Sequence, residues 1–543
     1  LHAQTHKIAL ILCGGDVNFS DLPIGINRSN AMIPVNGKPV IGWILEDLVA
    51  RGMTEIILVL RFDNHKLYNY VEWAYGKRIR VYFAFVQPGG TILHSLLSGL
   101  AWVQPGWGVH IVLGDTLIQD VYPAQDDFVF AGPYENPEDW CLVEKDPQGN
   151  AAAYYDKMQL PHNGLQALAG VYSLSDTALL RNLMVEGIKR GSKEISTVLL
   201  EYGNVRPIKV VETKAWYDFG HIHYFNLAKR KLLQSRYFNS LLIDPVHGTI
   251  TKKSEKKDKL ADELAWYSAL PAHLQLLSPR LFQTGTPDAV TITQEYYGYP
   301  NLAELYVFSD LGLSVWMSAV KRLLEIHKLF KLETGPVSAN DVLQMYGEKT
   351  RQRLDELRKH ENWKSILGAD RLMINDRPYR NFKILEEQSS ELIQDMGNRV
   401  QGCIIHGDYC FSNILYDLNS QLVKLIDPRG SFGEQKLYGD PRYDMAKLRH
   451  SVSGRYDFII AGLFYVEQKT DGFVLNVFKP DTHDSLTAFF DTLLAAEGYS
   501  VREIRFIEAL LFISMVPLHE DNAERQLALY LNGVMILNTV FEL

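Results

Sequence analysis

Ile404–Leu415 reads IIHGDYCFSNIL. Two apolar runs flank His406-Gly407-Asp408, and Asn413 follows Asp408 by five positions. A further apolar run, Leu422–Ile426, ends in Asp427. Short apolar runs broken by polar turns are the pattern of buried strands that deliver side chains to a site at their ends. Phosphoryl transfer uses these residue types at this spacing. One carboxylate accepts the proton of an attacking hydroxyl, and an amide oxygen a turn later holds a metal ion. A second carboxylate on a neighbouring hairpin strand holds the metal against the β- and γ-phosphates. Asp408, Asn413 and Asp427 fit those roles in that order, with Asp408 the catalytic base. The triplet His-Gly-Asp alone would read as well as a turn capped by its aspartate. The asparagine and the strand ending in aspartate tip the reading to chemistry.

This pattern resembles the aminoglycoside phosphotransferase and choline kinase-like family, relatives of the protein kinases, over about residues 238–543. The resemblance implies a bilobal protein-kinase-like domain with a small lobe over about 237–305 and a large lobe over about 306–543. It also implies Mg²⁺ and ATP or GTP. A strand lysine for the α- and β-phosphates and a helix glutamate are expected, and Gly248–Glu263 (GTITKKSEKKDKLADE) supplies both. Lys252 is favoured over Lys253 because strand alternation puts Ile250 on its face. Either lysine alone also reads as part of a solvated cluster with Lys256, Lys257 and Lys259. Glu263 is the helix partner. Gln294–Tyr297, including Glu295, would join the lobes and present backbone amides to the base. Gly439–Leu448 (GDPRYDMAKL) resembles the segment that orders the large lobe, so Asp440 and Asp444 are expected to be structural. Arg429 reads either as a group for an anionic acceptor or as a surface salt bridge.

The N-terminal part alternates differently. Lys7–Cys13 (KIALILC) is a continuous apolar run ending in Gly14-Gly15, Val40–Arg51 has helical spacing, and Glu55–Leu60 reads as a strand. Thr91–Trp102 is again helical, and His110–Leu113 is a strand before Gly114-Asp115. Strand and helix in alternation predict a doubly wound, Rossmann-like α/β sheet with ligands at the carboxyl ends of its strands. The pattern changes near Phe219–Tyr237, which predicts two domains, 1–236 and 237–543.

Several segments of 1–236 resemble the sugar-phosphate nucleotidyltransferases, or pyrophosphorylases. Ile33–Ile41 (IPVNGKPVI) matches their entry to the first long helix, and Gln87–Thr91 (QPGGT) their base-binding segment, with Gln87 and Gly90. Leu113–Asp115 and Trp216–Gly220 (WYDFG) match the segments that carry a metal pair, here Asp115 and Asp218. Lys157 stands where the family has a lysine for the sugar phosphate, and Gly170 where it has a glycine before an apolar strand. The glycine loop departs: Gly14-Gly15 is followed by Asp16, Val17, Asn18 and Phe19, so the usual third glycine and arginine are missing. The family's Pro-Lys pair is Ser29-Asn30 here. Losing two cations that would face a triphosphate weakens transition-state stabilisation unless others replace them. Arg28 or Lys38 are the candidates.

Bulk properties narrow the partners. At 543 residues the chain exceeds one core, and its 47% apolar and 22% charged content is that of a globular protein. A net charge of −9 argues against nucleic-acid binding. No segment reaches the roughly 18 apolar residues of a spanning helix; Ile507–Leu518 is broken by Glu508 and Pro517 and reads as a buried helix. Leu1–Lys7 lacks a signal-peptide pattern, and four scattered cysteines suggest reduced thiols, so a cytoplasmic location is expected. The expected partners are nucleotides and a small alcohol, sugar or its phosphate, with a homo-oligomer left open. The combined expectation is a bifunctional kinase and nucleotidyltransferase that phosphorylates a sugar, polyol or amino alcohol. It would then activate the phosphate with an NTP, such as CTP or UTP, for surface glycan synthesis. The alternative is a kinase whose N-terminal domain binds ligands without catalysis.

Overall fold

The computed structural model describes residues 6–14, 29–158, 164–236, 241–254, 257–286 and 289–541. Contacts divide the chain into two compact units, Leu1–Leu232 with Phe308–Asp310, and Leu233–Val307 with Leu311–Leu543.

Strand Lys7–Cys13 explains the first unit. Alternation sends Ile8, Leu10 and Leu12 to one face and Ala9, Ile11 and Cys13 to the other, and all six are at most 8% exposed. A strand covered on both faces must be apolar throughout. It pairs in parallel with Glu55–Arg61 on one side and Gly108–Leu113 on the other, and Glu55–Arg61 pairs in parallel with Arg80–Val86. Helices Val40–Ala50, His65–Tyr75 and Ile92–Leu100 connect these strands in turn. The winding therefore reverses between Lys7–Cys13 and Gly108–Leu113. Their carboxyl ends, at Gly14 and just before Asp115, lie at the switch point where such sheets bind ligands.

One face is packed by Leu93, Leu96 and Leu100 of the third helix with Leu180, Met184, Val198 and Leu199 of helices Thr177–Lys189 and Ile195–Gly203. Beyond Gly108–Leu113 the sheet stops being parallel. Gln166–Leu174 runs antiparallel to it and carries the sheet on through Cys141–Lys145 and Ala151–Asp156. The sheet is thus mixed, a feature the strand–helix alternation of the first half does not announce.

The second unit begins with a small antiparallel sheet in the order Leu241–Asp244, Thr249–Lys253, Ala289–Glu295, Leu281–Thr286. Helix Lys257–Ala269 follows its second strand. The rest is mainly helical, with Leu313–Leu332, Pro441–Val452, Val501–Met515 and Ala523–Phe541 the principal helices of its core. Glu508, wholly buried in Val501–Met515, is paired with Arg449. Among the described residues no helix is long and apolar enough to cross a membrane.

Candidate functional site

In the first unit two carboxylates are brought together by a short ladder. Strand Trp216–Asp218 pairs antiparallel with Thr116–Ile118, setting Asp218 opposite Thr116, the residue after Asp115. The Phe219 amide donates to the Asp115 carbonyl at 2.9 Å. A Cβ on Gly220 would stand 2.8 Å from Asp115 Oδ2 and 3.7 Å from Asp218 Oδ1, so both carboxylates border the space this glycine leaves. Burial, then the neighbouring Asp218, push the Asp115 carboxyl up to about 6, against a hydrogen bond from Asn30. Asp218 accepts from the amide and Nδ1 of His221 at 3.1 and 3.0 Å, and that bond lifts the imidazole above its usual range. Two crowded carboxylates suit a hard dication that would relieve their repulsion. Among the described residues no group of three or more potential ligands gathers. The pair itself suits Mg²⁺, which takes one or two carboxylates and completes its shell with water and substrate phosphates.

Around this pair the expected residues fall as follows. Gly14 ends strand Lys7–Cys13, and a Cβ there would lie 2.6 Å from Val86 Cγ2 and 3.1 Å from Ser95 Oγ. Gln87 and Gly90 are exposed on the loop before helix Ile92–Leu100, which Thr91 caps. Gly15 and Arg28 lie outside the described residues. Lys157 is exposed in the left-handed region (φ 48°), and its amide donates to the Trp140 carbonyl at 2.9 Å. Trp140 packs on His221, 4.6 Å between ring centres, so the lysine's backbone is tied to the Asp218 side of the site. Lys38 corrects an expectation: it is paired with Glu46 and stands 4.5 Å over the Trp43 ring, which leaves it a poor substitute for the missing arginine. Asn30, in the place of the family lysine, instead bonds the Asp115 carboxylate. A cavity of about 270 Å³ beside Asp218 is walled by Tyr134, Trp216 and Tyr224, with Lys214 and Lys231.

In the second unit, Lys252 Nζ donates to Glu263 Oε2 and to Asp427 Oδ1, both at 2.7 Å. Strand alternation turns Lys253 away from this cluster, where it is exposed. Glu263, on helix Lys257–Ala269, is 5% exposed. Burial and the Asp427 charge push its carboxyl up to about 7 despite Lys252. Asp427 sits past hairpin strand Val423–Leu425 at φ 54°, and its amide donates to the Tyr267 hydroxyl at 3.2 Å. The partner strand, Ile414–Tyr416, follows Asn413 directly, so the hairpin ladder fixes Asn413 and Asp427 relative to one another.

Asn413 Nδ2 donates to the Asp408 carbonyl at 3.0 Å and to Oδ2 at 2.9 Å. Lys447 Nζ lies 2.8 Å from Asp408 Oδ1. Burial disfavours the Asp408 charge, but Lys447 overrides it and holds the carboxyl well below its usual range. Asp444, fully buried, accepts from the His406 and Gly407 amides at 2.7 and 2.8 Å and so anchors the loop. Asp440 caps helix Pro441–Val452 and binds Arg442. The sequence reading missed Lys447. It lies three residues after Asp444 in GDPRYDMAKL, one helical turn away and on the same face, and that spacing was the available signal.

Glu295 also departs from expectation. Its amide donates to the Arg280 carbonyl at 3.0 Å, and the Tyr296 amide donates to the Gly248 carbonyl at 2.8 Å. Both amides are therefore used by the small sheet and do not face a base. The Glu295 carboxylate accepts from the Arg280 amide and the Tyr297 hydroxyl at 3.1 and 2.7 Å.

A Rossmann-like sheet with a carboxylate pair at its switch point defines a class, and comparison agrees with it: residues 8–235 match the nucleotidyl transferase family. Among curated relatives, the bifunctional protein GlmU of Methanococcus maripaludis is 24% identical over 222 residues, 39% of this chain and 51% of that protein. The low-salt glycan biosynthesis nucleotidyltransferase Agl11 of Haloferax volcanii is 26% identical over 225 residues, 39% of this chain and 62% of that protein. The matches thus span about half the length of the first of these relatives. Among solved structures, the CTP:phosphocholine cytidylyltransferase of Streptococcus pneumoniae aligns at TM-score 0.35 and 16% identity, over 42% of this chain and 99% of that one. The UDP-glucose pyrophosphorylase of Acinetobacter baumanii aligns at TM-score 0.36 and 15% identity, over 43% and 95%.

Proposed function

We propose that the chain joins two phosphate chemistries. The C-terminal unit phosphorylates a hydroxyl of a sugar, polyol or amino alcohol with ATP or GTP. The N-terminal unit then couples the phosphate to an NTP, such as CTP or UTP, and releases pyrophosphate. The observation that carries the kinase half is Lys252, bridging Glu263 and Asp427, with Asp408 and Asn413 on the loop before the Asp427 hairpin.

In the first reaction the acceptor hydroxyl gives its proton to Asp408 as its oxygen bonds the γ-phosphorus. The bond from that phosphorus to the β-phosphate oxygen breaks, leaving a phosphate ester and ADP or GDP. Asn413 and Lys447 orient the base, Glu263 aims Lys252 at the α- and β-phosphates, and Asn413 Oδ1 with Asp427 would hold Mg²⁺. In the second reaction an acceptor phosphate oxygen attacks the α-phosphorus of the NTP. Gly14, at the carboxyl end of its strand, would stand near the phosphates, Asp115 and Asp218 would hold Mg²⁺, and Lys157 would bind the acceptor phosphate. When bound, the metal neutralises the charge that develops on the phosphate oxygens. Housing both steps on one chain raises the local concentration of the intermediate. The name of the Haloferax volcanii relative favours a product destined for a glycan.

A second reading, in which only the kinase half is active, is favoured by Asn30 at the lysine position and by Lys38 paired with Glu46. The test is a mass-spectrometric screen of each NTP with pooled alcohols and their phosphates, with Asp408→Ala and Asp115→Ala beside the parent. Loss of a phosphate ester in the first and of a nucleotide conjugate in the second is the expected result. A phosphate ester without any conjugate would favour the second reading, and no ester from the parent would overturn the kinase assignment.

A further inference from the structure

The chain as a whole is acidic, at −9, yet the surroundings of Asp408 are strongly basic. Four cations converge there from three segments. Helix Pro441–Val452 presents Tyr443 and Lys447 at i and i+4, hence on one face, with Lys447 on the Asp408 carboxylate. Helix Lys349–Arg358 presents Lys349 and Arg353 at the same spacing. The two faces meet where Lys349 Nζ reaches the Tyr443 hydroxyl at 3.4 Å. Arg429, on the loop after Asp427, packs its side chain beside Gly407, next to Asp408: a Cβ on Gly407 would be 2.7 Å from Arg429 Cβ.

One carboxylate, Asp408, does not balance four cations, and it is already paired with Lys447. Among the described residues Lys349, Arg353 and Arg429 form no ion pair. Their hydrogen bonds go to neutral oxygens: Tyr443 for Lys349, the Ser514 carbonyl for Arg353 at 2.8 Å, and the Ser431 carbonyl for Arg429 at 3.0 Å. Glu356 acts on Arg353 only from longer range. Burial, then Arg429, Arg353 and Lys447, hold the Lys349 ammonium well below its usual range. Mutual repulsion of this kind costs stability unless an anion completes the arrangement. The phosphate end of the donor nucleotide has its own cation in Lys252, on the small sheet.

We propose that the alcohol phosphorylated at Asp408 is itself acidic, carrying a phosphate or carboxylate that Lys349, Arg353 and Arg429 bind. This rests on the kinase reading and narrows it: an amino alcohol would bring a cation to a cationic wall, whereas an acidic alcohol would fit it. The anion would dock on the arginine forks and the lysine while the hydroxyl points at Asp408.

The test uses the full chain with Mg²⁺·ATP and matched probes: glycerol, ethanolamine, glycerate and glycerol 3-phosphate. Binding of each probe and of Mg²⁺·ATP is measured by calorimetry, and ADP release is followed in parallel. The expected result is binding of at least one acidic probe and of neither glycerol nor ethanolamine, with glycerate against glycerol 3-phosphate deciding between carboxylate and phosphate. Lys349→Ala and Arg353→Ala should each weaken the acidic probe about 10-fold or more while Mg²⁺·ATP affinity stays within about 2-fold. Preference for glycerol or ethanolamine would overturn the proposal and leave the kinase reading intact. So would acidic probes that fail to bind a protein that does bind Mg²⁺·ATP. Failure to bind both Mg²⁺·ATP and Mg²⁺·GTP would overturn the kinase reading and the proposal with it. Equal weakening of probe and nucleotide would assign the cations to the donor phosphates.

Discussion

Lys447 and Asn413 divide the Asp408 carboxylate between them, Lys447 at Oδ1 (2.8 Å) and Asn413 at Oδ2 (2.9 Å). A carboxylate held from both sides keeps one orientation, and the lysine keeps it charged, as the proposed role of base requires. Removing the lysine removes the main influence that lowers the carboxyl. With Lys447→Met, the acidic limb of the kcat profile is expected to move to higher pH, because Asp408 then takes its proton earlier as pH falls. At neutral pH kcat should drop by about 10-fold or more, within the ~10²–10⁴-fold that a positioned base supplies. Lys447→Arg should recover part of it. A pH–rate profile checks both points; an unmoved limb would reduce Lys447 to a packing role.

Asp115 gives the first unit a pH signature. Its carboxyl is raised to about 6 by burial and by Asp218. The folded unit therefore binds a proton that the unfolded chain has released above the ordinary carboxylate range. Stability from this group is present below that range and is lost as pH rises through 6. In EDTA, the melting temperature of this unit is expected to fall between pH 5 and 7. Mg²⁺ should restore it at pH 7 and do little at pH 5, and Asp115→Asn should flatten both responses. Differential scanning calorimetry with and without Mg²⁺ makes the comparison.

Lys252 and Lys253 are neighbours in sequence with opposite fates in the strand. Lys252→Met should raise the nucleotide KM by about 10-fold or more. It should also destabilise the second unit by about 1–3 kcal/mol, because Glu263, 5% exposed, loses the ammonium that donates to its carboxylate. Lys253→Met, at an exposed position, should leave both within error. Steady-state kinetics and thermal melts on the two variants decide between them.

Gly220 offers a local probe of the carboxylate pair. The methyl of Gly220→Ala would enter within 2.8 Å of Asp115 Oδ2 and force that carboxylate aside. Displacing a metal-holding group by such an amount is expected to reduce pyrophosphate release by about 10²-fold, while phosphorylation in the other unit continues. A coupled pyrophosphate assay alongside ADP release separates the two.

The sequence made the strands and their end residues legible where burial leaves only one choice of residue type. Lys7–Cys13 had to be apolar on both faces, and Ile404–Leu415 had to alternate apolar strand with polar turn. Lys252 was separable from Lys253 because strand alternation is strict. The use of backbone amides was not legible: nothing in Gln294–Tyr297 announces that Glu295 and Tyr296 spend theirs on Arg280 and Gly248. Contacts between residues distant in sequence were equally hidden. Lys38 looked available until Glu46, a helical turn or two ahead, took it. Lys349 carries no signal of its own in the sequence; Tyr443, about a hundred residues on, meets it in the fold.

Helix Pro441–Val452 holds the loop by Asp444 and Asp408 by Lys447, so on the proposed kinase reading it cannot change without disturbing the chemical step. Helix Lys349–Arg358 bonds instead to Tyr443, through Lys349. With the proposed acceptor role for Lys349 and Arg353, selection can retune which molecule is accepted by altering the second helix, and a lineage could acquire a new substrate while inheriting its reaction unchanged.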